Sequence, residues 1–335
     1  MDFDLTEEQS GIVSAVDSML KNFAGPDRAR SLGAGGHDDE LLAALTAAGY
    51  LDLLLEPDAG PLSATLVVEA VAAAAGQINA GARALVVPAL APDLGLGRVA
   101  LAVAGTTGPV RWAAQADHLI VLDGDVARVV PVDAASVVPL KTTFAYPVAR
   151  VETTGGKRLA PGSGDALRRW WRLAIAAESV GAMKAAFFLT TSYLSEREQF
   201  GRRIASFQAI QHRLAEAYIW LEGATWLTRY AAWLEAETEA VAAAAGYASV
   251  AAQVVGSDLH QLTGAIGFTT EYNLSLWTMR LHALRTELGG ASEHLRSVTR
   301  TRWMTGPETA ETVVSAQAQL DLATDHEVMV VKGTS

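Results

Sequence analysis

The sequence predicts a mainly α-helical protein with a small β domain in its middle. Apolar residues recur three and four positions apart before residue 93 and again after residue 158, which is the spacing of amphipathic helices. Between these regions the pattern changes to short runs rich in β-branched residues. We therefore predict an N-terminal helical domain over 1–92, a reduced β middle domain over 93–158 and a C-terminal four-helix bundle over 159–335.

Composition and charge exclude several classes of protein. Half of the 335 residues are apolar and 19% are charged, as in a well-packed globular protein. The formal net charge of −11 argues against nucleic acid as a partner, since phosphate binding needs a basic surface. The sequence has no cysteine, which excludes disulfides, thiolate catalysis and cysteine-ligated metals, and we predict no metal site.

The N-terminus and the apolar runs favour a cytoplasmic location. The opening segment MDFDLTEEQ is acidic and polar, unlike a signal or transit peptide. The uncharged apolar runs are too short to span a bilayer. We expect a cytoplasmic protein without a membrane partner.

Three helices are predicted in the N-terminal domain. Thr6 followed by two glutamates predicts the start of the first helix. A second helix is predicted from Asp38 to Ala48 and a third from Leu62 to Ala75, because each range is apolar-periodic and ends at a glycine.

Short strands are predicted in the middle domain. The β-branched runs are Val99–Val103, His118–Leu122 and Val126–Val130. Asp123-Gly124 lies between the last two, and this dipeptide is typical of a tight hairpin turn.

Four long amphipathic patterns follow Asp165. Their apolar series begin at Leu173, Phe207, Val241 and Leu274, and the last series runs on to Leu288. Sustained three/four spacing on four helices predicts a helical bundle.

Two segments of this bundle carry a resemblance to a known family. Arg197, Gln199, Phe200, Gly201 and Gln208 stand in the order of a signature helical turn of the flavin-dependent acyl-CoA dehydrogenases. The segment from His260 to Glu271 resembles the family pattern Gln-x-x-Gly-Gly-x-Gly-Phe-x-x-Glu, with alanine in place of one glycine. The predicted domain order is also that of the family, so the resemblance covers most of the chain.

The resemblance implies an FAD held mainly by a neighbouring subunit. A guanidinium presents a fork of donors that suits a pyrophosphate, and amides can hydrogen-bond the ADP half. Taken alone, Arg197 between two glutamates is an ordinary solvated helix face, but both segments together favour contact with FAD. The residues implied to contact the cofactor are Arg197, Gln199, Gln208, Gln261, Gly264 and Ala265.

The carboxylate base of the family is missing. The segment Leu288–Arg296 resembles the one that carries the catalytic glutamate, but the corresponding residue is Gly289. At the other family location, beside Arg172, stands Trp171, for which a substrate-lining role is an alternative to simple core packing. We therefore predict no catalytic residue in this chain.

Three nearby glutamates are weak candidates for a relocated base. Glu287 is the nearest, but two residues along a helix rotate a side chain by about 200°, so we expect it to face away. Glu293 occupies a structural position, and Glu178 lies two helical turns from Trp171.

The middle domain also lacks the family's flavin-binding loop and its tryptophan-containing strand. The nearest stretch, Gly105–Trp112, has neither the acid nor the serine of that loop. The two segments implied to contact a partner's FAD are therefore present, whereas the base and the flavin-binding loop of the chain's own active site are missing.

Three functional hypotheses follow. The first is a non-catalytic subunit of a heteromeric acyl-CoA dehydrogenase, paired with a full-length homologue in a heterotetramer of two copies of each chain. The resemblance implies an acyl-CoA substrate, a bulky steroid-derived one as in actinobacterial steroid breakdown, and electron-transfer flavoprotein as electron acceptor. The second is a self-sufficient homo-oligomer that uses Glu287 as base, and the third is a flavin-free scaffold or acyl-CoA-binding subunit.

Overall fold

The structure, a computed structural model, describes residues 4–33, 35–95 and 97–304. Helices, then a small β region, then further helices follow one another along the chain, which confirms the predicted fold class. The bundle domain is predicted to end at residue 335, and its segment 305–335 lies outside the described residues.

The N-terminal region is helical, as predicted. Thr6 caps the first helix, because its Oγ1 accepts the Gln9 N–H at 3.2 Å and the Gln9 side chain accepts the Thr6 N–H at 3.0 Å. The second predicted helix is capped by Asp38. The helices over Pro26–Leu32 and Val87–Leu90 were not predicted, because seven and four residues are too few for a clear apolar period. The helices are α1 (Glu7–Phe23), α2 (Pro26–Leu32), α3 (Asp39–Ala47), α4 (Gly60–Ala73) and α5 (Val87–Leu90), with a π-helical turn over Ala82–Val86 before α5.

The middle region forms two small sheets. Numbered along the chain, the first, third, fourth and seventh strands form one sheet in that order, and the second, sixth and fifth form the other. The predicted hairpin joins β3 to β4, but its two loop residues are Gly124 and Asp125, one position later than predicted, with Gly124 at φ 62°. The strands are β1 (Val99–Val103), β2 (Val110–Arg111), β3 (His118–Asp123), β4 (Val126–Pro131), β5 (Val138–Leu140), β6 (Val148–Arg150) and β7 (Lys157–Arg158).

The C-terminal helices pack as a bundle around one long central helix. That helix, α6 (Ser163–Glu196), contacts α4 on one side and α8 on another. The remaining elements are β8 (Glu198–Gln199), β9 (Arg202–Arg203), α7 (Gln208–Trp233), α8 (Thr238–Thr263), α9 (Leu274–Leu284) and α10 (Gly290–Trp303).

The fourth predicted helix is interrupted. The apolar series runs from Leu274 to Leu288, but α9 ends at Leu284 and α10 begins at Gly290. Leu288 lies at φ 50° and Gly289 at φ 85°, a left-handed backbone that a continuous helix does not allow. This turn sets the direction of Glu287, described below.

Close helix contact in the core depends on a small residue of α6. An ideal Cβ built on Gly181 would lie 2.1 Å from the carbonyl oxygen of Glu69 on α4. The segments Ser163–Glu196 and Thr238–Phe268 are long and apolar enough to span a membrane by length and composition, yet most of each apolar window is buried in the bundle. They are the core helices of the fold.

Candidate functional site

A cavity of about 500 Å³ lies between the β region and the bundle. The end of β1, the segment 106–111, the first turns of α6 and the turn between α9 and α10 form its walls. Trp171 and Gly289, which occupy the two family locations of the base, both line it. Its charged lining residues are Arg111, Arg168, Arg172, Glu287 and Glu293.

No side chain at position 289 reaches into this cavity. An ideal Cβ built on Gly289 would lie 2.7 Å from Cβ of Glu293, and the backbone there is left-handed at φ 85°. The turn is thus adapted to glycine, and a glutamate at this position would need a different turn.

The prediction that Glu287 faces away is wrong. It assumed a continuous helix through residue 288, but the turn at Leu288 redirects the chain and the Glu287 side chain lines the cavity. Its carboxylate accepts a hydrogen bond from Trp171 Nε1 at 2.6 Å and another from Arg111 Nε at 2.6 Å. Trp171 therefore lines the cavity and also anchors Glu287.

Arg111 is the site residue that sequence reasoning missed. Arg111 lies on β2 and is only 8% exposed. Its Nη1 donates a hydrogen bond to Glu178 Oε2 at 2.5 Å, and its Nε donates to Glu287 Oε1. Burial alone would lower the pKa of Arg111, but the Glu178 and Glu287 carboxylates raise it well above the usual value. Its sequence signal was an arginine between Val110 and Trp112, in the same Gly105–Trp112 stretch that lacks the family's flavin-binding loop.

This wall does not suit a flavin ring. The Arg111 guanidinium is engaged through all three nitrogens, with Nη2 lying 3.4 Å from the second Glu287 oxygen. Glu178, which sequence reasoning placed too far from Trp171 to act as base, is 4% exposed and belongs to this ion-pair cluster behind the cavity. Arg111, Glu178 and Glu287 are thus already paired with one another and are not available to a flavin ring.

The first family segment forms a hairpin rather than the helical turn that the resemblance implies. α6 ends at Glu196, Arg197 is its C-terminal cap residue, and β8 pairs with β9 across a two-residue turn. Phe200 and Gly201 form that turn with φ of 56° and 78°. Arg197, Gln199 and Gln208 are exposed, and the Arg197 side chain makes no hydrogen bond or ion pair with the described residues.

The second family segment ends α8. Gly264, at φ 64°, closes the helix with its N–H on the His260 carbonyl, and a 3₁₀ turn continues to Phe268. Gln261 and Ala265 are exposed. An ideal Cβ on Gly264 would meet nothing within 4 Å, so close packing inside the chain does not require a glycine here, although its left-handed φ does favour one.

Both segments lie at one end of the bundle. The rings of Tyr193 on α6 and Tyr272, just after the second segment, lie 5.4 Å apart. Arg213 on α7 and Asp258 on α8 form an ion pair near the same end. The elements that carry the six implied cofactor residues therefore meet at this end of the bundle.

This end is remote from the cavity. At about 1.5 Å of rise per residue, the stretch of α6 from Trp171 to Glu196 is roughly 40 Å long. A single flavin dinucleotide is too short to contact both. The exposed guanidinium and amides suit the ADP half of a flavin, although the Gln199 amide already donates to the Glu198 carbonyl at 2.7 Å.

Metal chemistry has no visible site in the described ranges. No group of three or more His, Asp and Glu side chains within them is arranged to hold a metal ion.

Comparison with known proteins places these features in a family. Residues 169–304 match the family described as Acyl-CoA dehydrogenase, C-terminal domain. Acyl-CoA dehydrogenase IpdE2 of Mycolicibacterium smegmatis is 32% identical over 219 residues, which cover 60% of this chain and 70% of that protein. The protein of the same name from Mycobacterium tuberculosis is 29% identical over 326 residues, covering 89% of this chain and 98% of that protein.

Solved structures show the same fold. A chain of the ChsE4-ChsE5 complex from Mycobacterium tuberculosis superposes with a TM-score of 0.78 at 24% identity, covering 92% of this chain and 100% of that one. Butyryl-CoA dehydrogenase from Megasphaera elsdenii superposes with a TM-score of 0.71 at 18% identity, covering 90% and 99%. From the matched C-terminal domain and the relatives that align along most of its length, the chain belongs to the acyl-CoA dehydrogenase family.

Proposed function

We propose that this chain is a non-catalytic subunit of a heteromeric, FAD-dependent acyl-CoA dehydrogenase and completes the flavin site of a full-length partner. The observation that carries the proposal is the division of the chain into two unequal ends. The end of the bundle that carries Arg197, Gln208 and Gln261, called the Arg197 end below, presents exposed polar groups to solvent. The cavity end instead has glycine at position 289 and a closed Arg111–Glu287 pair.

The chemistry assigns the missing parts to the partner. α,β-Dehydrogenation needs a carboxylate that removes the α-proton of the acyl-CoA, and a bound flavin supplies the acceptor for the β-hydride. Gly289 and Trp171 provide no base, so the partner's carboxylate acts. This chain contributes Arg197 to the pyrophosphate and the Gln208 and Gln261 amides to the ADP half.

The exposed aromatic side chains of the Arg197 end support a covered surface. Phe200 is 92% exposed and Phe268 is 74% exposed. Phe200 also has a positive φ of 56°, a backbone conformation rare for an aromatic residue. Exposed apolar side chains beside unpaired polar groups are typical of a surface that another subunit covers.

The names of two structural relatives support the kind of assembly. One is the ChsE4-ChsE5 complex and another is the Tcur3481-Tcur3483 steroid ACAD, each named for two chains. By analogy we propose a cytoplasmic heterotetramer with two copies of each chain, a bulky steroid-derived acyl-CoA as substrate and electron-transfer flavoprotein as electron acceptor.

Co-expression with a full-length homologue encoded nearby tests the proposal. Arg197→Ala removes a charge-assisted contact, so we expect flavin to be retained roughly 10- to 100-fold less tightly by the co-purified complex. Arg30→Ala is the matched control, since it removes an exposed arginine from α2. Equal flavin retention by both variants would contradict the proposal, and a complex without any flavin would favour a scaffold or acyl-CoA-binding role.

One observation favours a second function. Glu287 lines the cavity, so a self-sufficient homo-oligomer with Glu287 as base is the alternative. This alternative predicts a yellow protein when the chain is expressed alone and loss of acyl-CoA oxidation in Glu287→Gln. The hydrogen bonds from Arg111 and Trp171 make it the weaker candidate, because they occupy the oxygens that a base needs.

A further inference from the structure

Among the described residues, one cation that lines the cavity forms no ion pair with a carboxylate. Arg111 is paired with Glu178 and Glu287, and Arg168 with Asp165. Glu293 forms ion pairs with Arg300 and Arg296 on α10. Arg172 is the remaining charged residue of the lining, and its single side-chain hydrogen bond within the described residues is Nη1 to Ser297 Oγ at 3.0 Å.

Comparison with the other buried arginines shows how unusual this is. Among the described residues, Arg83, Arg111, Arg172 and Arg280 are buried. Arg111 has two carboxylates, and Arg280 donates to three backbone carbonyls at 3.1–3.2 Å. Arg83 shares its own cavity with the Asp52 carboxylate. Of these four, Arg172 is the one whose cavity is lined by carboxylates that are all paired with other arginines, Glu287 with Arg111 and Glu293 with Arg300.

The surroundings of Arg172 disfavour its charge. Its side chain is 5% exposed, and Nε is buried without a hydrogen-bond partner in the described part of the chain. Burial lowers the pKa of Arg172, with Glu293 opposing that effect. Burial, and after it the positive charge of Arg172, lower the pKa of the fully buried His294. An imidazole is neutral or positively charged, so His294 gives Arg172 no counter-charge. The two positions where the family places a carboxylate are Gly289 and Trp171.

A buried guanidinium without a counter-charge is unfavourable unless an anion joins it. We infer that Arg172 is the anion-binding group of this cavity and that the cavity takes an oxyanion carried on an apolar body, a carboxylate or a phosphate monoester. The apolar body fits the walls formed by Leu101, Val103, Val110, Leu122 and Leu288. The inference rests on the cavity alone and holds whether or not the Arg197 end serves a partner's flavin.

Titration calorimetry on the full chain tests the inference with three probes of equal chain length. Octanoate and octyl phosphate distinguish a carboxylate from a phosphate, and octan-1-ol has no charge. We expect wild type to bind at least one of the two anions and to bind octan-1-ol more weakly. Arg172→Met should weaken anion binding about 10-fold or more, the usual loss on deleting a charged hydrogen-bond partner.

The matched control is Arg169→Met, on the same helix but outside the lining, where Nη1 donates to the Ala236 carbonyl at 3.4 Å. We expect this variant to bind the anions like wild type. A second readout is thermal unfolding without ligand: Arg172→Met should melt at the wild-type temperature or above it, because an uncompensated charge has left the interior.

Three results would overturn the inference. They are equal anion binding by wild type and Arg172→Met, octan-1-ol binding as tight as the better-bound anion, and a melting temperature of Arg172→Met well below that of wild type. Should Arg172→Met fail to fold, Arg172→Lys keeps the charge but lacks the planar fork. This variant should then bind the anions more weakly than wild type, and unchanged binding would count against the inference.

Discussion

Arg111 and Glu287, which lie 176 positions apart in the sequence, form an ion pair with 2.6 Å between Nε and Oε1. The pair joins β2 of the middle region to the turn between α9 and α10 and forms one wall of the cavity. Trp171 Nε1 reaches the other oxygen of the same carboxylate at 2.6 Å. Glu287, the nearest candidate for a relocated base, is therefore held by two neighbours.

The ion-pair cluster should be important for stability. Arg111→Met leaves the buried Glu178 without its cation, so the free energy of unfolding should fall by about 3–5 kcal/mol. Arg98→Met is the control, because its pair with Asp117 is solvent-exposed and contributes about 0–1 kcal/mol. Denaturant unfolding of both variants measures the difference, and equal losses would show that the cluster is not what holds this wall.

Glu287→Gln separates a structural from a catalytic role. In the co-purified complex we expect turnover to stay at the wild-type rate, because the amide still accepts the Trp171 hydrogen bond and the base belongs to the partner. A general base contributes about 10²- to 10⁴-fold, so a fall in kcat of that size would reassign Glu287 as the base. Glu293→Gln, in the same lining, controls for a general effect of charge.

His294 should make stability depend on pH. Burial, then Arg172, lowers the pKa of this fully buried imidazole to about 4, against about 6.5 in the unfolded chain. The unfolded state therefore binds the proton first, so this contribution is complete above pH 6.5 and is lost as the pH falls toward 4. The loss amounts to at most about 3 kcal/mol.

Unfolding of wild type and His294→Leu across this pH range isolates the effect from that of other groups. The variant should show a flatter profile, since both ring nitrogens lack hydrogen-bond partners among the described residues and leucine loses only the titration. Parallel profiles for the two proteins would contradict the assignment.

Two glycines of the core helices should respond in opposite directions to alanine. Gly181→Ala places a methyl group against the Glu69 carbonyl, and overpacking of this kind costs about 1–3 kcal/mol. Gly256 on α8 has open space around its Cβ position, so Gly256→Ala should raise the free energy of unfolding by about 0.5–1 kcal/mol. Comparison of the two melting temperatures checks the contact between α4 and α6.

Periodic features of the fold were predictable from the sequence. The capped start of α1, the helices around Asp39 and Leu62 and the long bundle helices follow from spacing and capping residues. The break after Leu284 was not predictable from the sequence, because Leu288 continues the apolar series. Its left-handed φ of 50° is a feature of the folded turn that the spacing of apolar residues does not indicate.

The same break explains what was wrong at the site. Glu287 was predicted to face away on helical geometry, and the turn brings it into the cavity. Arg111 was missed because its partners, Glu178 and Glu287, are 67 and 176 positions away, and only the packed fold brings them together. The contacts of the six residues with FAD remain a prediction, and five of the six, all but Gly264, are exposed in the single chain.

Flavin counting on the co-purified complex tests the central claim most directly. The claim is that Arg197, Gln208 and Gln261 of this chain contact the FAD of a partner subunit, and that this chain binds no flavin in its own cavity. Absorbance of released FAD against protein concentration should give one FAD for each pair of unlike chains, and no flavin in this chain purified alone. One FAD per chain in this protein by itself would contradict the account.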